Sequence, residues 1–206
     1  KVLDEIEFDG YITLNGQYCY DKDRIIYQNT IDPHDLQNLV NYLDNHQVPC
    51  GFTEEHDKYY NYRDWRVDEI HRITQNDGQP AKDCSQVCTR KIYQCQCFVD
   101  EAEEKELLKL MPNCISARWH PMFCDISPKG GTKQNGIDKF LEYYHLQLSE
   151  TMAFGDGGND IPMLNHVNLA VAMGNGNEEV KKAADYVTDE VDLDGVVKAL
   201  KHFDLL

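Results

Sequence analysis

The stretch GDGGNDIPML, residues 155 to 164, places two carboxylates and an amide within five positions. Asp156, Asn159 and Asp160 are hard oxygen donors, the kind of set a magnesium ion prefers. A short apolar run, Met152 to Phe154, leads into Gly155-Asp156. Ligands in open α/β sheets bind at the carboxyl ends of strands, and this order puts Asp156 there. Gly157 and Gly158 lack side chains, so a ligand or metal can approach the backbone. Asn159 and Asp160 then stand near the start of a helix, a terminus that favours anions. A calcium loop does not fit. Counted from Asp156, the sixth position is Ile161 and the twelfth Val167, where such a loop requires Gly and Glu. A plain helix cap seldom calls for so many special residues.

Upstream, SPKGGTKQNGI sets Lys133 at the start of a helix after a Gly-Gly turn. A lysine there presents a point charge to a phosphate or a carboxylate. Lys129 and Lys139 read as surface residues. The run AMGNGNEEV imitates a dinucleotide loop but lacks the third glycine. It reads as a strand-to-helix turn, with Asn177 as cap and Glu178 and Glu179 complementing the helix dipole. His166 reads as a helix-surface residue rather than a base. Near the start, EFDGYIT sets Glu7 and Asp9 two residues apart, as in a phosphoryl-transfer site with an acidic nucleophile. The order of elements argues against that role. A nucleophile should follow an apolar strand, yet the apolar run YITL comes after these acids, and KVLDEI before them reads as the end of a helix.

The elements that must position these residues follow from the pattern. The chain has 206 residues and a formal charge of −16. That charge opposes nucleic acid, and it makes an anionic substrate depend on local donors or a metal. No apolar run approaches the roughly 18 residues of a membrane span, and no secretory signal is present, so a cytoplasmic location is expected. The first residue is Lys1 rather than Met, and the true start is expected upstream. From residue 152 onward, strand, loop and helix alternate, which predicts a parallel sheet. The middle region predicts a second α/β layer. Asp32 caps a helix with Pro33 at its first position and Leu36, Leu39, Val40 and Leu43 on one face. Strands are expected at YITLNG, along VPCGFTEEHDKYYNY, at KIYQCQCFV and within ISARWHPMFCDISP. Helices are expected at EAEEKELLKLM and at GTKQNGIDKFLEYYHL, the latter with Ile137, Phe140, Leu141 and Tyr144 inward. Of the eight cysteines, Cys84, Cys88, Cys95 and Cys97 fall within one short run. Their spacing is unlike that of a usual zinc site, and buried packing is the expectation.

Taken together, GDGGNDIPML, KGGTKQNGI and FDGYITLNG resemble the haloacid dehalogenase superfamily, specifically its Cof-type sugar-phosphate phosphatases. The resemblance runs over nearly the whole chain. It implies an α/β fold, a partial Rossmann-like core at 1–18 and 128–206 with an inserted α/β cap at 19–127. It implies a magnesium-dependent phosphatase acting on small phosphate esters. Asp156 would be a direct Mg2+ ligand, and Asp160 would support the metal site or bind through water. Asn159 and Lys133 would contact the phosphate, and Asn15 would lie near the site entrance with Gly16. Gly155, Gly157 and Gly158 would shape the loop. Arg63, Arg66, Arg118, Trp119 and His120 of the cap could face a sugar, although each reads first as surface or packing. The family's nucleophile, the first Asp of Asp-x-Asp-Gly-Thr near the N-terminus, has no counterpart at the expected place. A few tens of preceding residues are therefore expected to carry it, and the chain alone is expected to be inactive. A non-catalytic binding module and a related phosphohexomutase are the alternative readings.

Overall fold

A computed structural model describes residues 8–75 and 78–206. Two compact units emerge, one made of residues 1–27 with 132–206 and the other of Gln28–Gly131. The middle unit thus starts later than the expected 19 and ends after the expected 127. The reason is local pairing. Strand β1 (Gly10–Thr13) pairs antiparallel with β2 (Tyr18–Asp21), and β3 (Ile25–Gln28) adds to the far edge of β2. Asp21 Oδ1 accepts from the Asp23 and Arg24 amides and closes the β2–β3 turn. The hairpin is therefore tied to the flanking unit. β1 stands in this antiparallel sheet and not in the parallel one. The helix expected over KVLDEI, and Glu7 with it, lie outside the described residues.

The middle unit is a five-stranded antiparallel sheet in the order β5-β4-β6-β8-β7. Its strands are β4 (Cys50–Thr53), β5 (Lys58–Tyr60), β6 (Gln94–Cys97), β7 (Cys114–His120) and β8 (Phe123–Pro128). Its helices are α1 (Pro33–His46), α2 (Trp65–Thr74) and α3 (Glu101–Leu110). As expected, Asp32 caps α1 by accepting from the His34 amide at 2.8 Å, and Leu36, Leu39 and Leu43 are buried. Asp100 and Glu103 close α3 with a reciprocal capping box. One sheet face carries Phe52, Cys95, Cys97, Cys124 and Ile126 into a core shared with Leu39 and Leu107. Each such side chain contributes about 1.5–3 kcal/mol on burial. Cys95 and Cys97 are wholly buried there, and Cys84 and Cys88 pack partly buried against the same core. Burial pushes the thiols of Cys84 and Cys114 up to about 11 and about 12. Among the described residues no group of three or more His, Cys, Asp or Glu is arranged to hold a metal.

In the flanking unit, the expected alternation produces a parallel sheet β11-β10-β9. Its strands are β9 (Met152–Gly155), β10 (Leu169–Ala172) and β11 (Tyr186–Val187). Helix α4 (Lys133–Tyr144) precedes it, and α5 (Ile161–Leu164), α6 (Glu178–Lys182) and α7 (Gly195–His202) are interleaved or follow. Ile137, Phe140 and Leu141 are half-buried. Tyr144, expected inward, is 38% exposed, and its hydroxyl reaches the Asp9 carbonyl and Asp21. No helix among the described residues is long and apolar enough to cross a membrane.

Candidate functional site

β9 ends at Gly155, and Asp156 follows it with an exposed side chain at the carboxyl end of the strand. The chain then makes a single 3-10 turn, Gly158–Asp160, and enters α5 through Pro162. Asp160 turns back under this loop. Its Oδ2 accepts from the amides of Asp156 and Gly157, each at 3.1 Å. Its Oδ1 accepts from the Lys133 ammonium. Burial alone would raise the Asp160 carboxyl; the lysine and the two amides outweigh that and hold it below the usual carboxylate range. Asp160 is 7% exposed, so its charge is satisfied by these three donors rather than by bulk water.

Lys133 opens α4 as expected, with Thr132 as N-cap accepting from the Asn135 amide at 3.2 Å. The same helix is tied twice more to the segment from α5 to His166. Gln134 Nε2 donates to the Pro162 carbonyl at 2.9 Å, and the His166 ring meets Asp138 at 2.7 Å. His166 is thereby a tether between helices and not a base aimed at the loop.

The turn bearing Asn15 approaches the same helix start. Leu14 and Asn15 have φ of 50° and 56°, and Gly16 has 88°. A Cβ on Gly16 would lie 2.0 Å from the Thr132 carbonyl oxygen. Glycine at 16 is thus required by both conformation and approach. Gly155 is constrained by its neighbour, since a Cβ there would lie 2.7 Å from the Cβ of Asp160; at Gly157 a Cβ would meet only the movable Asn159 Oδ1. Gly158 and Asn159 are exposed at the tip of the loop.

One member of the cluster escaped the sequence reading. Asn175 Nδ2 donates to Asp156 Oδ2 at 3.2 Å, and its Oδ1 accepts from the Val191 amide at 3.2 Å. Its signal was the AMGNG turn after β10, which is adjacent to β9 in the sheet. Asn177 does cap α6, accepting from the amides of Glu179 and Val180.

Asp9 stands at the amino end of β1, so the acid precedes its strand, the reverse of a nucleophile's position. A second imitation occurs at Asp192-Leu193-Asp194-Gly195. There the acids occupy a 3-10 turn leading into α7, where the Gly195 amide bonds Glu190 and the Gly195 carbonyl accepts from Thr188 Oγ1 at 2.7 Å. This segment closes a turn before α7, and its Val191 amide holds the Asn175 that steadies Asp156.

In the middle unit the candidate sugar-facing residues are committed locally. Arg63 pairs with Asp68 and the Gln79 carbonyl. Arg66 pairs with Asp64 and the Phe98 carbonyl. Arg118 bonds Glu104 and the Val99 carbonyl. His120 stacks on Phe123. The side chain of Trp119 lies outside the described set.

For a divalent cation, the donor chemistry is uneven. The Asp156 carboxylate is a hard oxygen donor that Asn175 steadies through one oxygen. Asp160 has both oxygens engaged by N–H donors and the Lys133 ammonium, so it orients the loop instead of offering itself directly to an ion.

A strand-end aspartate, a lysine locked to its loop and a short helix after it put the candidate site at the carboxyl end of a parallel strand. The chain belongs to the haloacid dehalogenase-like hydrolase family, whose profile matches residues 1–200. It is 33% identical over 209 residues to the YkrA protein of Bacillus subtilis (strain 168), covering 100% of this chain and 79% of that one. Among solved structures it is similar to the HAD phosphatase BT1666 of Bacteroides thetaiotaomicron, with a TM-score of 0.87, 34% identity and coverage of 99% and 77%. The HAD subclass IIB sugar phosphatase BT4131 superposes with a TM-score of 0.79 at 38% identity, covering 99% of this chain and 80% of that one.

Proposed function

We propose that this site belongs to a magnesium-dependent phosphomonoesterase acting on small phosphorylated metabolites such as sugar phosphates. The observation carrying this reading is the Lys133–Asp160 pair, which fastens an ammonium to the loop that bears Asp156. The description of BT4131 as a sugar phosphatase supports the substrate class.

Lys133 and Asn159 hold the oxygens of the phosphoryl group, and Asn15 lies beside them at the entrance. Asp156 would hold Mg2+, and when bound the ion supplies charge neutralisation at the phosphoryl oxygens. Asn175 fixes one oxygen of Asp156. Asp160 keeps Lys133 and the loop in register. The region corresponding to Gln28–Gly131 acts as the cap that selects the substrate.

No Asp-x-Asp-Gly-Thr pattern occurs in these 206 residues, and we infer that the family's phosphoryl-accepting aspartate lies outside them. We therefore expect this polypeptide by itself to hydrolyse nothing. The same observation favours a second reading, a non-catalytic module that binds phosphate esters. The product of the whole reading frame and the 206-residue polypeptide should be assayed side by side on phosphorylated hexoses, pentitols and flavin mononucleotide with Mg2+. We expect turnover from the former alone, and Asp156→Asn in it to lower kcat by about 10²–10³-fold. Turnover by the shorter polypeptide, or an Asp156→Asn enzyme at the original rate, would defeat the proposal. No turnover from either leaves the binding module as the surviving reading.

A further inference from the structure

Within the middle unit lies a small cavity of about 110 Å³, remote in sequence from Asp156 and lined by Lys58, Tyr60, His71, Gln79 and Gln96 among others. Strand register builds it. Gln96 in β6 pairs with Gly51 in β4, which pairs with Tyr60 in β5, so the three form one row across the sheet. Side chains alternate along a strand, so this row faces away from the core that holds Cys95 and Cys97. A Cβ at Gly51 would come within 2.8 Å of the Tyr60 ring. Its absence lets the ring lie across β4, and the hydroxyl donates to Gln96 Oε1 at 2.6 Å. Lys58 lies two residues earlier on the same face and donates to that oxygen at 3.4 Å. His71, from α2, sets Nε2 3.3 Å from the Tyr60 hydroxyl.

These contacts fix the tautomer. The Tyr60 proton is committed to the Gln96 carbonyl oxygen, which can only accept. Nε2 of His71 is then the donor, and Nδ1 holds a lone pair. His71 is 7% exposed, and its Nδ1 has no hydrogen-bond partner among the described residues. Lys58 is similarly under-used: its ammonium has three donors, and the hydrogen bond to Gln96 is a long one. Arg63 is already engaged by Asp68 and the Gln79 carbonyl.

We propose that this cavity binds a small oxyanion of phosphate or carboxylate type, held by the Lys58 ammonium and by His71, which takes a proton from solvent onto Nδ1 as the anion enters. The electrostatics agree. Burial first, then Arg63 and Lys58, lower the affinity of the His71 ring for a proton, and Asp68 acts against them. Burial lowers the Lys58 ammonium, against the attraction of Asp125. Burial disfavours the charged form of both groups, and an arriving anion supplies them with a shared counter-charge. The proposal is independent of the reading of the Asp156 site.

The test follows the His71 imidazole C–H resonances by NMR while inorganic phosphate, acetate or chloride is added at matched ionic strength. We expect a saturable shift with phosphate or acetate and none with chloride; which of the two binds more tightly identifies the class of oxyanion. Saturation should raise the pH midpoint of His71 by about one pH unit. Lys58→Met should weaken binding at least about tenfold. Lys133→Met should leave the His71 response unchanged, separating it from phosphate at the loop of Asp156. Should Lys58→Met fail to fold, the wild-type midpoint decides. A shift that chloride reproduces, saturation without a change in that midpoint, or a folded Lys58→Met protein that binds like wild type would each overturn the assignment.

Discussion

The two units are held together by different physics. Among the described residues, the middle unit buries 19 in one contiguous core cluster, whereas the parallel-sheet part of the flanking unit buries four, Leu164, Ala170, Ala172 and Val180, in its own. The flanking unit relies on polar locks: Lys133 on Asp160, Asn175 on Asp156, His166 on Asp138 and Gly16 against Thr132. Chemistry-bearing groups sit where burial is thin and hydrogen bonds are dense. A deep apolar core tolerates no exposed carboxylate, and a loop that must present one to a ligand has to be fixed by directional contacts.

That contrast can be broken by substitution. The largest effect is expected in the middle unit, where Phe52→Ala removes a wholly buried ring from β4, the strand between β5 and β6, and should cost about 3–5 kcal/mol. Urea unfolding followed by tryptophan fluorescence and circular dichroism measures it; a loss below about 1 kcal/mol would mean that this core is far more plastic than its burial implies. Next comes Lys133→Met, expected to cost about 1–3 kcal/mol at neutral pH by stripping a buried carboxylate of its charged donor. The sign with pH is specific. Asp160 is held below its unfolded value, so its contribution is complete above about pH 4 and vanishes as pH falls through the lowered folded value. The wild-type and variant stability curves should therefore converge in acid, and curves that stay parallel would discount the pair. The smallest effect is Asn177→Ala, which removes the α6 cap and should cost about 1 kcal/mol, measured by the same unfolding. Were it to match Phe52→Ala, the flanking unit would depend on its caps more than on any apolar contact.

Much of this was legible in the sequence, and the rest was hidden for physical reasons. GDGGND and the Gly-Gly-Thr-Lys segment announce themselves because each motif is local: strand end, turn and helix start are consecutive in the chain. The strand-helix alternation after residue 152 and the α1 cap at Asp32 are equally local signals. The role of Asn175 was not legible, since its partner Asp156 is reached only once β9 and β10 pair in parallel. A strand at YITLNG was legible, but its neighbour was not, because an apolar tetrapeptide does not say which strand it will pair with; it pairs with β2. The bounds of the middle unit shifted for the same reason. Tyr60, His71 and Gln96 look unrelated along the chain; the vacancy at Gly51 and a strand register unite them.

The thiol distribution has a practical corollary. Cys50, Cys95, Cys97, Cys114 and Cys124 are sealed in the middle core, and Cys84 and Cys88 are partly open to water. An alkylating reagent added to the native protein would mark that outer couple first. Each further adduct seen by mass spectrometry would then time an opening of the interior, giving the molecule a built-in clock for its own breathing.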